Sequence, residues 1–263
     1  MTNFDYSIVI PAYNESARIL PTLDRVTAYI QQQGWAAEIV VVDDGSRDNT
    51  AELVRGYAGR GTTIRLVENP GNRGKGYSVR NGVLHARGAV VLFSDADLSS
   101  PIEEASKLFD SIRRGSDIAI GSRWIKAEMQ TTRQPILRQI MGRVFNLVPR
   151  FVLGLNFKDT QCGFKAFKQQ VARDIFGRQT IQRWGFDPEI LFLARQLGYT
   201  TEEVPVAWAH DERSKINPVC DGMSMLLDMF KIRWNSIAGK YDSAPQATFS
   251  PAAEEVPAGH PRA

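Results

Sequence analysis

An α/β fold, a mostly parallel sheet flanked by helices, is predicted by three features of the first half of the chain. Short apolar runs alternate with longer amphipathic segments. The runs lack the polar alternation of a sheet with one wet face, so they read as strands covered on both sides. Acidic residues directly follow two of them, at the strand ends where open α/β sheets bind ligands.

The elements follow in order. Tyr6-Ser-Ile-Val-Ile-Pro is a strand, and Arg18 to Gln33 an amphipathic helix. Glu38-Ile-Val-Val-Val-Asp is the second strand, with Ser46 or Asp48 placed to cap a helix from Thr50 to Tyr57. Thr63 to Val67 and Gly76 to His85 are the next strand and helix. Ala89-Val-Val-Leu-Phe-Ser, Ile102 to Arg114 and Asp117-Ile-Ala-Ile-Gly continue the alternation. The second half is less regular. Arg133 to Phe151 carries apolar residues at helical spacing, interleaved with Arg133, Arg138, Arg143 and Arg150. Asp187 to Leu197 reads as a helix, Glu202 to Trp208 as a strand and Asp221 to Ile237 as a last amphipathic helix. From Asp242 to Ala263 the chain is rich in Ala, Pro and Glu without periodicity, the pattern of a disordered tail.

Composition sets outer limits. The 263 residues are enough to bury a substantial core, and a net charge of +3 is too small to point to nucleic acid. Cys162 and Cys220 show no metal spacing and fit a reduced cytoplasm. No charged segment leading into a long apolar run marks a signal peptide, and no run reaches the roughly 18 apolar residues of a membrane span, so any membrane contact is expected to be peripheral. His85, His210 and His260 are scattered and fit no metal motif.

The chemistry concentrates in a few carboxylates. Asp95-Ala96-Asp97 places two of them at i and i+2 beyond a strand, where both reach one divalent cation shared with substrate phosphates. Asp43 and Asp44 stand at another strand end, where a carboxylate can accept the imide N–H of a uracil ring. Asn72-Arg-Gly-Lys-Gly lets backbone N–H groups approach an anion, with Lys75 adding a charge. The spacing is not that of a Walker loop, and no G-x-G-x-x-G follows the first strand. No G-x-S-x-G elbow supports a Ser-His-Asp hydrolase.

The ordered series Ile10-Pro-Ala-Tyr-Asn-Glu, Val42-Asp-Asp-Gly-Ser, Asp95-Ala-Asp-Leu and Gly121-Ser-Arg resembles family-two inverting glycosyltransferases of the GT-A fold. Asp159-Thr-Gln-Cys-Gly-Phe-Lys, Arg183-Trp-Gly-Phe-Asp-Pro-Glu and Val204 to Lys215 are similar to the dolichyl-phosphate β-glucosyltransferase branch, neighbour to the polyprenyl-phosphate mannosyltransferases. The resemblance covers roughly residues 5 to 241. It implies one GT-A domain over 1–241, with a nucleotide-sugar half to about 123 and an acceptor and membrane-facing half from about 124, in which the amphipathic helices 133–151 and 221–237 are expected to lie in the membrane interface.

What it implies for the site is specific. Pro11, Tyr13, Glu15 and Asp44, with Asp43 close by, would line the nucleoside pocket, and Lys75, Asp95, Ala96 and Asp97 would meet the diphosphate. Asp95 and Asp97 would hold Mg²⁺ or Mn²⁺. Arg123, Arg138 and Arg143 would receive the acceptor phosphate. Asp159, Gln161, Asp187 and Glu189 would face the sugar, and Ser214 and Lys215 would form a mobile loop over the diphosphate. Asp97, Asp187 and Arg123 are the residues expected at the reacting centre. The mannosyltransferase relatives often have Gln where this chain has Ser99, and Arg where it has His210. The implied reaction is glucosyl transfer from UDP-glucose to a polyprenyl phosphate by a peripheral protein on the cytoplasmic face of the membrane, as a homo-oligomer or with a membrane partner. The alternatives are a mannosyltransferase using GDP-mannose, a non-lipid acceptor, a nucleotide-sugar-binding protein without catalysis, and a nucleotidyltransferase.

Overall fold

The computed structural model describes residues 4–57, 61–125, 148–209, 220–242 and 254–256. Its elements are β1 (Tyr6–Ala12), α1 (Ile19–Gln33), β2 (Ala37–Asp43), α2 (Thr50–Arg55), β3 (Thr63–Glu68), α3 (Lys75–His85) and β4 (Val90–Ser94). A 3-10 turn (Ile102–Glu104) leads into α4 (Ala105–Arg113), followed by β5 (Ile118–Ser122), β6 (Phe164–Lys168) and α5 (Gln169–Arg178). Then come α6 (Phe186–Gln196), β7 (Thr201–Pro205), α7 (Cys220–Ile237) and β8 (Glu254–Val256).

The strands form one sheet in the order β7-β5-β6-β4-β1-β2-β3-β8. β1 pairs in parallel with β2 and β4, β2 with β3, and β5 with β7. β6 runs antiparallel between β4 and β5. The mostly parallel sheet read from the apolar runs is therefore present. Alternate residues of each strand feed two cores. Ile8, Ile39 and Leu92 meet α1 and α4 on one face, while Val9, Val40 and Phe93 meet α3, α5 and α6 on the other. This two-sided burial explains why β2 is buried along its whole length.

Three readings need correction. Phe164-Lys-Ala-Phe-Lys is strand β6, although two lysines hide the apolar pattern, and it leads into α5, which the sequence reading left unassigned. Its alternation puts Phe164 and Ala166 in one core and Phe167 in the other. The tail after Asp242 is not wholly structureless, because Glu254–Val256 pairs antiparallel with β3. The exposed N–H and C=O groups of an edge strand are a ready template for such pairing. Ser46 does not cap α2. Asp48 accepts hydrogen bonds from the backbone and hydroxyl of Thr50, while Ser46 turns to Asp43. Most of the arginine-rich stretch 133–151 lies outside the described residues.

The sheet order reverses at β1, whose neighbours are the strand before β3 on one side and β4 on the other. That switch point opens a crevice beyond the strand ends. Because β6 runs backwards, its start lies beside the ends of β4 and β5, with Phe164 opposite Ser94 and Lys165 opposite Ile120. The loop that carries Asp159 to Gly163 is thereby delivered to the same crevice as Asp95 and Arg123.

Candidate active site

A cavity of about 620 Å³ occupies this crevice. Eleven of the expected residues line it: Pro11, Tyr13, Glu15, Asp44, Lys75, Asp95, Ala96, Asp97, Arg123, Gln161 and Asp187. Arg138, Arg143, Ser214 and Lys215 lie outside the described residues.

The turn after β4 is tightly built. The Leu98 amide donates to the Asp95 carbonyl at 3.1 Å, and the Ser99 amide to Asp97 Oδ1 at 2.9 Å. Leu98 has φ 48°, a left-handed conformation costly for a side chain with a Cβ. Another such residue, Asn14 at φ 52°, stands beyond β1 in the loop that presents Tyr13 and Glu15. Backbone strain is thus placed on both sides of the switch point.

Lys75, the first residue of α3, puts its Nζ 2.6 Å from Asp95 Oδ1 and 5.5 Å from the Trp184 ring centre. Burial works against its charge, but Asp95, with Asp187 and Asp97 nearby, pushes the ammonium above its ordinary value. Asp97 moves the other way from easy ionisation. Burial and the neighbouring Asp95 charge raise its carboxyl above the usual range. Two carboxylates that repel one another in a half-buried turn are a donor set suited to a dication. Among the described residues no group of three or more His, Cys, Asp or Glu side chains gathers for a metal. Two carboxylates are the protein's share, which fits Mg²⁺ or Mn²⁺ completing its shell with phosphate oxygens and water.

The space around Asp95 is set by glycine. A Cβ at Gly163 would stand 2.7 Å from Asp95 Cγ, so any other residue in the loop before β6 would have to push the Asp95 carboxylate aside. Behind the lining residue Asp187, Lys165 is completely buried in β6 and its ammonium pairs with that carboxylate, in the first turn of α6. Lys165 also donates to the Cys162 carbonyl at 2.5 Å and lies 5.4 Å from the Phe93 ring centre. Cys162 is buried, and burial pushes its thiol up to about 11, which disfavours the thiolate.

Four expectations change in detail. Asp44 lines the cavity, but its carboxylate already accepts from Asn69 Nδ2 at 2.8 Å, Arg73 N at 2.9 Å and Gly74 N at 2.8 Å. A carboxylate offers about four lone-pair directions, so a fourth contact is compatible with this anchoring of the 72–74 loop. Asp43 is buried and accepts from Ser46 N at 3.0 Å, away from the cavity lining. Asp159 is fully buried and does not face the cavity. It takes Arg123 Nε at 2.6 Å and Nη2 at 2.8 Å. Burial opposes both charges, but each holds the other, so the Asp159 carboxyl sits below its usual range and the Arg123 guanidinium above its own. Glu189 also turns away. It accepts from Thr180 N at 2.9 Å, Ile181 N at 2.8 Å and Tyr241 Oη at 2.7 Å, and burial raises its carboxyl. One helical turn places Asp187 and Glu189 on different sides, since residues two apart do not share a helix face.

The cavity has lining residues that the sequence reading did not single out. Arg18 pairs with Glu15 through Nη2 at 3.0 Å. Arg183, Trp184 and Trp208 bring one cation and two aromatic faces, and Arg123 lies 5.5 Å from the Trp208 ring centre. Arg183 and Trp184 belong to a motif already quoted, where their nearness to Asp187 was the available signal. Arg18 and Met225 carried none.

Comparisons with known proteins show the family and the fold. The model of the family "Glycosyl transferase family 2" matches residues 7–176. The dolichyl-phosphate beta-glucosyltransferase ALG5C of Trichomonas vaginalis is 39% identical over 239 residues, covering 86% of this chain and 70% of that protein. The dolichyl-phosphate beta-glucosyltransferase of Saccharomyces cerevisiae is 36% identical, covering 89% and 76%. Among solved structures, the glucosyl-3-phosphoglycerate synthase of Mycobacterium tuberculosis superposes with a TM-score of 0.66 at 18% identity, over 88% of this chain and 80% of that one. The same enzyme is known in complex with Mn²⁺, uridine diphosphate and glucosyl-3-phosphoglycerate, a form that superposes at 0.60. The shared architecture is the GT-A fold, and this chain is a glycosyltransferase belonging to glycosyl transferase family 2.

Proposed function

We propose that the enzyme transfers a glucosyl group from UDP-glucose to a polyprenyl phosphate of the dolichyl type, with inversion and with Mg²⁺ or Mn²⁺ bound by Asp95 and Asp97. The observation that carries this reading is the convergence of Lys75, Asp95, Asp97 and Asp187 in one cavity at the switch point. Its curated relatives named as dolichyl-phosphate beta-glucosyltransferases support the choice of sugar and acceptor. A lipid acceptor also places the protein peripherally at the cytoplasmic face of a membrane. Among the described residues no helix is long and apolar enough to cross one.

A metal held by the two aspartates would neutralise charge developing on the leaving diphosphate. The residues do the rest. Lys75 is positioned to pass from Asp95 to a phosphate oxygen, and the 72–74 loop tied to Asp44 shapes the nucleoside end. A phosphate acceptor is anionic at neutral pH and needs no base to remove a proton. The work is to bring two mutually repelling phosphates together, which suits arginine's planar fork. Arg123 enters this role already held by Asp159, so its orientation is fixed in advance. By the family resemblance Arg138 and Arg143 would join it at the acceptor phosphate and Ser214 and Lys215 would meet the diphosphate; all four lie outside the described residues. Asp187 faces the anomeric carbon and offsets the positive charge that builds there in the transition state.

The test is incubation of purified enzyme with a polyprenyl phosphate, Mg²⁺ or Mn²⁺, and UDP-glucose or GDP-mannose in parallel, with the lipid product weighed by mass spectrometry. A hexosyl phospholipid from UDP-glucose alone, lost on chelation and restored by metal, is expected. Product from GDP-mannose alone refutes the donor, and absence of lipid product with every donor refutes the acceptor.

A further inference from the structure

We propose that the outer face of α7 is a bilayer-docking surface that seats on anionic phospholipid and holds the cavity mouth at the headgroups. The inference rests on the reading of the acceptor as a lipid phosphate. α7 has two apolar faces. Met229 and Ile232 are fully buried in the core that α6 shares, and Asn235 on the same side donates to Thr180 Oγ1 at 3.1 Å. On the opposite side Met223, Leu227, Phe230, Trp234 and Ile237 follow one another at steps of four and three residues and are 57–71% exposed. At about 1.5 Å per residue this stripe runs for roughly 21 Å along the helix. Only one of these faces is needed for folding.

Charge identifies what the other face meets. Lys231 and Arg233 are exposed and, at about 100° per residue, flank the stripe on either side. Asp228, the one acid between residues 222 and 237, lies on the inner half of the helix, close against Gly185. An apolar stripe with a tryptophan, edged by cations and free of acids, matches the interface of an anionic membrane. The four-three spacing would also suit a helix pair, but a second copy would bring lysine and arginine against lysine and arginine, with no acid to pair them. α7 also reaches the chemistry, since Met225 lines the cavity. Seating the stripe among acyl chains therefore brings the cavity to the level where a lipid phosphate sits.

The experiment is flotation of the full chain with vesicles of phosphatidylcholine alone and of equimolar phosphatidylcholine and phosphatidylglycerol. It compares wild type with Leu227→Ser/Trp234→Ser and Lys231→Glu/Arg233→Glu, each checked for wild-type circular dichroism. Wild type is expected to float with the anionic vesicles, and each double variant to partition at least about tenfold more weakly. Turnover of polyprenyl phosphate in vesicles falls in step, while a water-soluble short-chain prenyl phosphate is glucosylated as by wild type. Unchanged flotation of the Leu227→Ser/Trp234→Ser protein overturns the proposal. So does a wild type that ignores vesicles and sediments as a dimer, with this variant a monomer. Stripe-dependent flotation with neither acceptor used would keep the docking surface and refute the acceptor reading instead.

Discussion

The ammonium of Lys165, fully buried in a strand, is paired with the carboxylate of Asp187 in the first turn of the neighbouring helix α6. Lys165→Met should leave Asp187 as an uncompensated charge and cost about 3–5 kcal/mol of stability, read by urea unfolding. Lys165→Met/Asp187→Leu should recover much of that stability and none of the turnover. Recovery of turnover in the double variant would remove Asp187 from the mechanism.

Asp97 carries a cost that binding must offset. Its carboxyl is raised by burial and by Asp95, so ionisation is harder in the folded chain than in the unfolded one. The native state is therefore relatively stabilised below the usual carboxylate range, and that advantage is lost as pH rises through the raised value. Asp97→Asn should melt higher than wild type at pH 7 without metal, match it in acid, and have no measurable turnover. Scanning calorimetry across pH, with the assay above, checks both halves.

Gly163→Ala tests the packing around the other aspartate. The added methyl would stand 2.7 Å from Asp95 Cγ and must displace the carboxylate. A displacement near 1 Å at a reacting centre costs about 10²-fold in rate, so kcat should fall by that order with unfolding little changed. Wild-type kcat would show that the position of Asp95 is not critical.

Glu189→Gln separates the two acids of the Phe-Asp-Pro-Glu motif. Glu189 accepts from Thr180, Ile181 and Tyr241 within the core rather than at the cavity. Loss of this network should cost about 1–3 kcal/mol in stability while kcat at low temperature stays near wild type. A kcat collapse like that of Asp187→Asn would place Glu189 in the chemistry.

Asp48 supplies a purely structural pH effect. Burial works against its charge, but hydrogen bonds from Thr50 and Ser16 hold its carboxyl down at about 2. Its contribution is present above the unfolded value and is lost as pH falls toward 2. The side chain is exposed, so solvent screening limits the effect to ~1 kcal/mol. Asp48→Asn should be less stable than wild type at pH 7, with the two converging in acid denaturation.

The alternating elements of the first half, the strand ends that carry Asp44 and Asp95, and the family to which the motifs belong are all legible in the order of residues. These are local properties: apolar period, turn chemistry and residues a few positions apart. Which charges meet is a matter of how the chain folds back on itself. The reversed strand β6 brings Asp159 and Lys165 behind the crevice to pair with two residues that line it, 36 residues from Arg123 in the first case and 22 from Asp187 in the second. No periodicity encodes those pairings, because they depend on sheet order. Burial decided the rest. It turned Asp43, Asp159 and Glu189, each read as facing substrate, into partners for protein N–H groups, since a carboxylate sealed from water must find its hydrogen bonds inside the fold.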